Sequence, residues 1–141
     1  MRKIIYTRPD GGLSVVYPVV SEEASWAKLP PDAINPRFVD ALELPQDRTF
    51  RNAWKDTGAA VAHDMPKCRE LHKDTLRRIR APLMTALDTA YLRADEVGDL
   101  AEKARIAAKK QALRDVTADP AIAAATTPEE LKNVLPAALR P

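Results

Sequence analysis

The chain predicts an α+β protein: a small N-terminal head containing a β-hairpin, then a long kinked helical hairpin, then a short C-terminal helix. Three observations predict it. Before residue 64, short β-branched and aromatic runs are punctuated by Pro and Gly. From Asp64 to Asp115 a helical pattern runs on, interrupted only by Pro82 and by a turn at Gly98-Asp99. Tyr6, Tyr17, Trp26, Phe38, Phe50 and Trp54 all precede that seam, and Tyr91 alone follows it. The bulky packing residues thus belong to the head, and the second half is built from Leu and Ala. The expected segments are 1–63, a β-rich head; 64–117, the helical hairpin; and 118–141, short helices and a tail.

Lys3-Ile4-Ile5-Tyr6-Thr7 and Leu13-Ser14-Val15-Val16-Tyr17 are the first two strands. Arg8-Pro9-Asp10-Gly11-Gly12 joins them: Pro presets φ and Gly supplies positive φ, so the pair reads as a hairpin. Pro18 ends pairing on the second strand. Ser21 to Ala27 is a short helix, with Ser21 as N-cap and Glu22 and Glu23 at the positive end of its dipole. Leu29-Pro30-Pro31 stops it. Arg37 to Leu44 reads as a third strand. Phe50 and Trp54 share a face if Arg48 to Asp56 is a short helix, or else flank an extended segment. Ala59 to Ala62 reads as a short fourth strand.

Asp64-Met65-Pro66 opens a helix, with Asp64 as N-cap and Pro66 in the first turn. Leu76, Ile79, Leu83, Leu87, Ala90, Ala94 and Val97 follow at spacings of three and four. Pro82 falls inside this stripe and predicts a kink or a break. Gly98-Asp99 ends the helix and caps a second one, Leu100 to Asp115. The short link forces an antiparallel pair. Asp119-Pro120 opens a weak turn of helix. Thr127-Pro128-Glu129-Glu130 opens another, with a Thr cap, Pro at its first position and Glu placed for a capping box.

Composition excludes several classes. Apolar residues at 45% and charged residues at 30% suit a folded domain rather than a disordered one. A net charge of +2 does not by itself argue for nucleic acid. One cysteine, Cys68, excludes an internal disulfide and fits a reducing compartment. No apolar run is long enough to span a membrane, and the basic N-terminus is followed too soon by Thr7, Arg8, Pro9 and Asp10 to be a secretory signal.

His63, Cys68 and His72 are the only cluster with metal-ligand character. Cys68 and His72 are four apart on one helix, and His63 lies just before it. A fourth ligand and the usual paired spacing are missing, so a buried Cys with two surface imidazoles in the first turns of a helix is the preferred reading. A nucleophilic Cys68 with His63 or His72 as base would also need an oxyanion site, and nothing signals one. No catalytic, cofactor-binding or metal residues are therefore assigned, and no cofactor is expected. Glu70 with Lys73, and Asp74 with Arg77 or Arg78, read as solvated helix pairs. Two basic stretches remain: Lys67, Arg69, Lys73, Arg77, Arg78 and Arg80 on the first long helix, and Lys103, Arg105, Lys109, Lys110 and Arg114 on the second. An antiparallel hairpin brings Arg77–Arg80 near the end of the second helix. That fits a phosphate or an acidic partner, but without interleaved aromatics nucleic acid is disfavoured and a solvated face is preferred. The thin Leu/Ala pair predicts a homo-oligomer or an obligate partner.

Lys3-Ile4-Ile5-Tyr6-Thr7-Arg8-Pro9-Asp10-Gly11-Gly12 and Leu44-Pro45-Gln46-Asp47-Arg48-Thr49-Phe50-Arg51-Asn52-Ala53-Trp54 stand ahead of Arg80-Ala81-Pro82-Leu83, Leu87-Asp88 and Lys110-Gln111-Ala112-Leu113-Arg114-Asp115. In that order they resemble small proteins encoded by tailed bacteriophages and prophages. The helical half is also similar to the tail end of phage tail-fibre assembly and tail-fibre-associated proteins. The resemblance implies a non-enzymatic tail-region protein, structural or chaperone-like, that binds a phage tail or fibre protein. It would act in the bacterial host cytoplasm during infection or be incorporated in the virion tail. The alternative it leaves is an anti-defence or host-takeover inhibitor that binds a bacterial protein or nucleoprotein. No catalytic residue is carried over from either group.

Overall fold

The structure, a computed structural model, describes all residues 1–141. The protein is α+β: a small N-terminal sheet built on a β-hairpin, long helices, and short C-terminal helices. Two compact units divide the chain at Met1–Cys68 and Arg69–Pro141.

In the first unit, strands β1 (Lys3–Thr7) and β2 (Leu13–Val16) pair antiparallel with Ile5 opposite Val15, the expected register. Their turn closes through Gly11 N–H to the Arg8 carbonyl at 2.9 Å and Arg8 N–H to the Gly12 carbonyl at 2.7 Å. Gly11 sits at φ +85°, a conformation that costs any residue with a Cβ. Helix α1 (Glu22–Trp26) is capped by the Ser21 hydroxyl, which accepts from the Ala24 N–H.

The third strand differs from its expected bounds. Strand β3 covers Ile34–Val39 and pairs with β1, giving the sheet order β2-β1-β3. It starts early because an edge strand tolerates Pro36: the pairing register slips there, and Asn35 takes a φ of 48°. It stops at Val39 because Ala41–Glu43 turns as a 3-10 segment, with the Glu43 carboxylate accepting from the Asp40 N–H at 2.8 Å. Ile5, Val39 and Leu44 form the core on one face of the sheet, with Leu13, Val15 and Val61 packed against them. Phe38, paired with Ile4, stacks on Trp26 at 4.9 Å, and Arg2 covers the Phe38 ring while binding Glu22.

Neither Phe50–Trp54 alternative is found: the two residues flank a tight turn, and the extended chain begins only at Trp54. Arg51–Ala53 is a 3-10 turn, and Trp54–Asp56 is strand β4. Phe50 and Trp54 are both buried. The fourth strand expected at Ala59–Ala62 lies at Val61–His63 as strand β5. It pairs with β4 around the Thr57–Ala60 turn, where Gly58 has φ +86°.

Helix α2 (Met65–Glu96) runs unbroken for 32 residues, with Pro82 inside it. Pro82 and Arg78, whose carbonyl loses its N–H partner, both lie on the exposed side of the helix. A Schellman motif ends the helix. The Asp99 N–H reaches the Ala94 carbonyl and the Gly98 N–H reaches the Asp95 carbonyl, with Gly98 at φ +68°. Helix α3 (Leu100–Asp115) follows at once, its Asp99 cap accepting from the Glu102 N–H.

In the second unit, α3 packs antiparallel on the later half of α2, and the last residues fold back on its earlier half. Helix α4 (Pro120–Ala124) is capped by Asp119, and helix α5 (Pro128–Lys132) by Thr127. At α5 the Glu130 carboxylate accepts from the Thr126 N–H at 2.9 Å and also from the Thr127 N–H, so the expected capping box is widened by one residue. Arg69 donates to the carbonyls of Ile122 and Ala125, and the His72 ring bonds the Val134 carbonyl. Leu76, Ala94, Ile106, Leu113, Val116, Ile122, Leu131 and Leu139 are buried in this unit.

Candidate functional site

The sequence-derived cluster does not assemble a site of its own. His63 is a strand residue in the head, and its Nε2 accepts from the Trp54 indole N–H at 3.2 Å. Cys68 is 0% exposed and His72 is 6% exposed. His72 is therefore not the surface imidazole expected of it. Its Nε2 stands 2.8 Å from the Val134 carbonyl oxygen, which fixes the proton on that nitrogen. That bond ties α2 to the C-terminal segment. No group of three or more His, Cys, Asp or Glu residues is arranged to hold a metal ion.

The basic stretches are placed by the hairpin as the antiparallel geometry requires. Arg77, Arg80, Lys110 and Arg114 all line one open groove of about 670 Å³, together with Met84 and Asp88. Each of the four has a bond within the protein. Arg77 pairs with Asp74, Lys110 with Asp88, and Arg114 with Gln111. Arg80 donates to the carbonyls of Leu113 and Arg114, where the end of α3 leaves acceptors without helical partners. Much of this charge therefore holds the fold together.

Salt bridges give the hairpin one polar face. Asp88 meets Lys110 at 2.6 Å and Asp95 meets Lys103 at 2.5 Å, both from α2 to α3. Tyr91 lies between these rungs, with both lysine ammoniums within 5.5 Å of its ring centre. Asp95 holds Lys103 above the usual lysine range, first through their hydrogen bond.

The opposite face is apolar. Leu83, Ala86, Leu87, Ala112 and Leu113 line an open groove of about 420 Å³, with Lys109 at its border and Ala138 of the C-terminal segment closing its base end. Leu83 is 41% exposed, and Ala86 and Ala112 are exposed with it. The stripe expected to be core on α2 is thus buried only at Leu76 and Ala94. At the tip of the hairpin, Val97 is 78% exposed and Leu100 is 75% exposed. No helix of the protein is long and apolar enough to cross a membrane, so this apolar surface is not part of such a span.

The head contributes one polar cleft that the sequence did not signal. Arg37 on β3 forks onto Asp56 at the end of β4, with contacts of 2.8, 3.0 and 3.2 Å. The Arg37 guanidinium holds the Asp56 carboxyl below the usual aspartate range, helped by the Gly58 N–H. Nineteen residues separate the partners, so no local spacing could reveal them. Nε and Nη2 of Arg37 are both taken by Asp56, and Nη1 faces Glu43 at 3.9 Å, so the cleft reads as a clamp between the two sheets of the head.

Comparison with protein-family models, with curated proteins and with solved structures finds no match for this chain.

Proposed function

We propose that this is a non-enzymatic protein that acts by binding another protein, in the assembly or the structure of a phage tail. The observation that carries the binding reading is the two-faced hairpin. One face is closed by Asp88–Lys110 and Asp95–Lys103, while the other leaves Leu83, Leu87 and Ala112 around an open apolar groove. Large apolar side chains held open on a rigid helix pair suit a docking surface. The tail setting rests on the resemblance of the Lys3–Gly12, Leu44–Trp54 and Lys110–Asp115 phrases to phage and prophage proteins. In that setting the protein works in the infected bacterial cell or within the virion tail.

A second reading has its own observation. The Arg77, Arg80, Lys110 and Arg114 groove would suit an acidic surface, as an inhibitor of a bacterial nucleoprotein or nucleic-acid mimic would need. Deleting the gene from a phage or prophage that carries it separates the two. The tail reading predicts particles that lack tails or fibres under the electron microscope on every host. Normal particles with a growth defect confined to some hosts would transfer the proposal to the inhibitor.

A further inference from the structure

A two-helix layer has two broad faces and can bury only one seam between its helices. Here the seam is thin: along α3 only Ile106 and Leu113 are buried. The polar face is closed by salt bridges, so the unmet burial lies on the Leu83–Ala112 face. Small residues there, Ala86 and Ala112, let another helix approach closely.

The charge along the hairpin says what that helix belongs to. The base, residues 69–87 and 107–115, carries eight Lys/Arg and three Asp/Glu. The tip half, residues 88–106, carries three Lys/Arg and five Asp/Glu. The groove lies at the basic end, and the exposed apolar residues Val97 and Leu100 lie at the acidic end. The groove face therefore holds a socket at one end and, at Val97, an exposed apolar plug at the other, with opposite charge around each.

We infer that the apolar face of the hairpin binds a second copy of this chain, antiparallel, as a four-helix bundle. Val97 of one copy fills the Leu83–Leu87–Ala112 groove of the other, and the same contact recurs across a two-fold axis. An antiparallel order sets each basic base against an acidic tip, whereas a parallel order sets like charge on like. The cross-helix rungs supply the level. Asp88 lies beside Lys110 and Asp95 beside Lys103, so the axis passes near Ala90 and the overlap runs the length of α3. That length is about 24 Å for 16 residues. Two helices side by side are about 20 Å wide, so the pair buries about 1,000 Å² in total, at the lower limit of a specific interface. The dimer is therefore one that forms and dissociates with concentration.

This inference rests on the binding reading of the same face and names its occupant. Sedimentation velocity of the full chain over a wide concentration range should show the mass rising from 15.6 kDa toward twice that value. Ala112→Glu, an exposed change that leaves the monomer folded, should weaken the dimer by about a hundredfold. Orientation is read with a short bis-maleimide linker, since native Cys68 is buried and serves as the unreactive control. Val97→Cys mixed with Leu83→Cys should cross-link to each other, and neither variant to itself. A monomer at every concentration, or cross-linking of Val97→Cys to itself, overturns the proposal. An Ala112→Glu protein that dimerises as tightly as the wild type overturns it as well. The binding reading itself is decided separately, by loss of phage assembly in a folded Leu83→Glu variant.

Discussion

The guanidinium of Arg80, on α2, donates to the main-chain carbonyl oxygen of Arg114 at 3.1 Å, thirty-four residues away at the end of α3. The same nitrogen also reaches the Leu113 carbonyl at 3.3 Å. A cation at a helix C-terminus opposes the negative end of the dipole and satisfies acceptors that have no helical partner. Arg80→Ala should therefore cost about 1–2 kcal/mol. Chemical denaturation would show it, and Arg80→Lys should recover part of the loss. If Arg80→Ala unfolds at the wild-type denaturant midpoint, the cap contributes nothing.

The Arg37–Asp56 clamp should make the head acid-sensitive. Asp56 has a carboxyl depressed below its unfolded value of about 3.8, chiefly by its hydrogen bonds from Arg37. A depressed carboxyl adds stability above the unfolded value, and that stability is lost as pH falls through the lower folded value. The loss belongs below about pH 4, not at neutrality. Asp56→Asn should flatten this acid limb, and Asp56→Ala should cost about 1–3 kcal/mol at pH 7. Melting curves of both variants between acid and neutral pH test the sign.

Much of the architecture could be read before the structure because its causes are local. Gly11 in a tight turn, Ser21, Asp99 and Thr127 as caps, and Gly98 as a helix stop each act within a few residues. What escaped the sequence acts at a distance. The strand Trp54–Asp56 has three residues, too few for an alternating pattern, and is held by pairing to Val61–His63 and by Arg37. His72 read as a surface residue because its partner, Val134, lies sixty-two positions later. Pro82 read as a kink or a break, and the helix is not broken there, because the missing N–H removes one bond while the turns on either side stay paired. The groove face was legible only in part: the Leu83–Leu87 spacing marks an apolar stripe but not which half stays open.

The turn at Gly11 should be more sensitive than the turn at Gly12. Gly11 needs φ +85°, while a Cβ at Gly12 meets the end of the flexible Arg8 side chain and, at 3.0 Å, the Asp10 carboxylate. Gly11→Val should cost about 1–2 kcal/mol, and Gly12→Ala should cost less once Arg8 swings aside. Equal melting temperatures for the two variants would remove the backbone explanation.

Cys68 and His72 should behave as structural groups. Cys68 is completely buried, so Cys68→Ser should cost about 1–3 kcal/mol. His72→Leu leaves the Val134 carbonyl without its donor and should loosen the C-terminal segment. Hydrogen exchange should report this as faster exchange across residues 120–139. Protection unchanged there would mean that Val134 does not depend on His72.

Base-to-tip charge complementarity should make self-association sensitive to salt. At 1 M ionic strength the screening length is about 3 Å, so the attraction between basic bases and acidic tips is lost while apolar contact remains. The dimer should weaken modestly and persist. Complete dissociation would mean that charge rather than the apolar groove holds it.

The central claim is that this protein works through the apolar face of its hairpin and not through its cysteine and histidines. Complementation of a phage deleted for the gene tests it in one assay, with circular dichroism confirming that each variant is folded. Leu83→Glu should fold and fail to restore infectious particles, while Cys68→Ala and His63→Gln should fold and restore them. Full complementation by folded Leu83→Glu, or failure of folded Cys68→Ala or His63→Gln, would contradict the account.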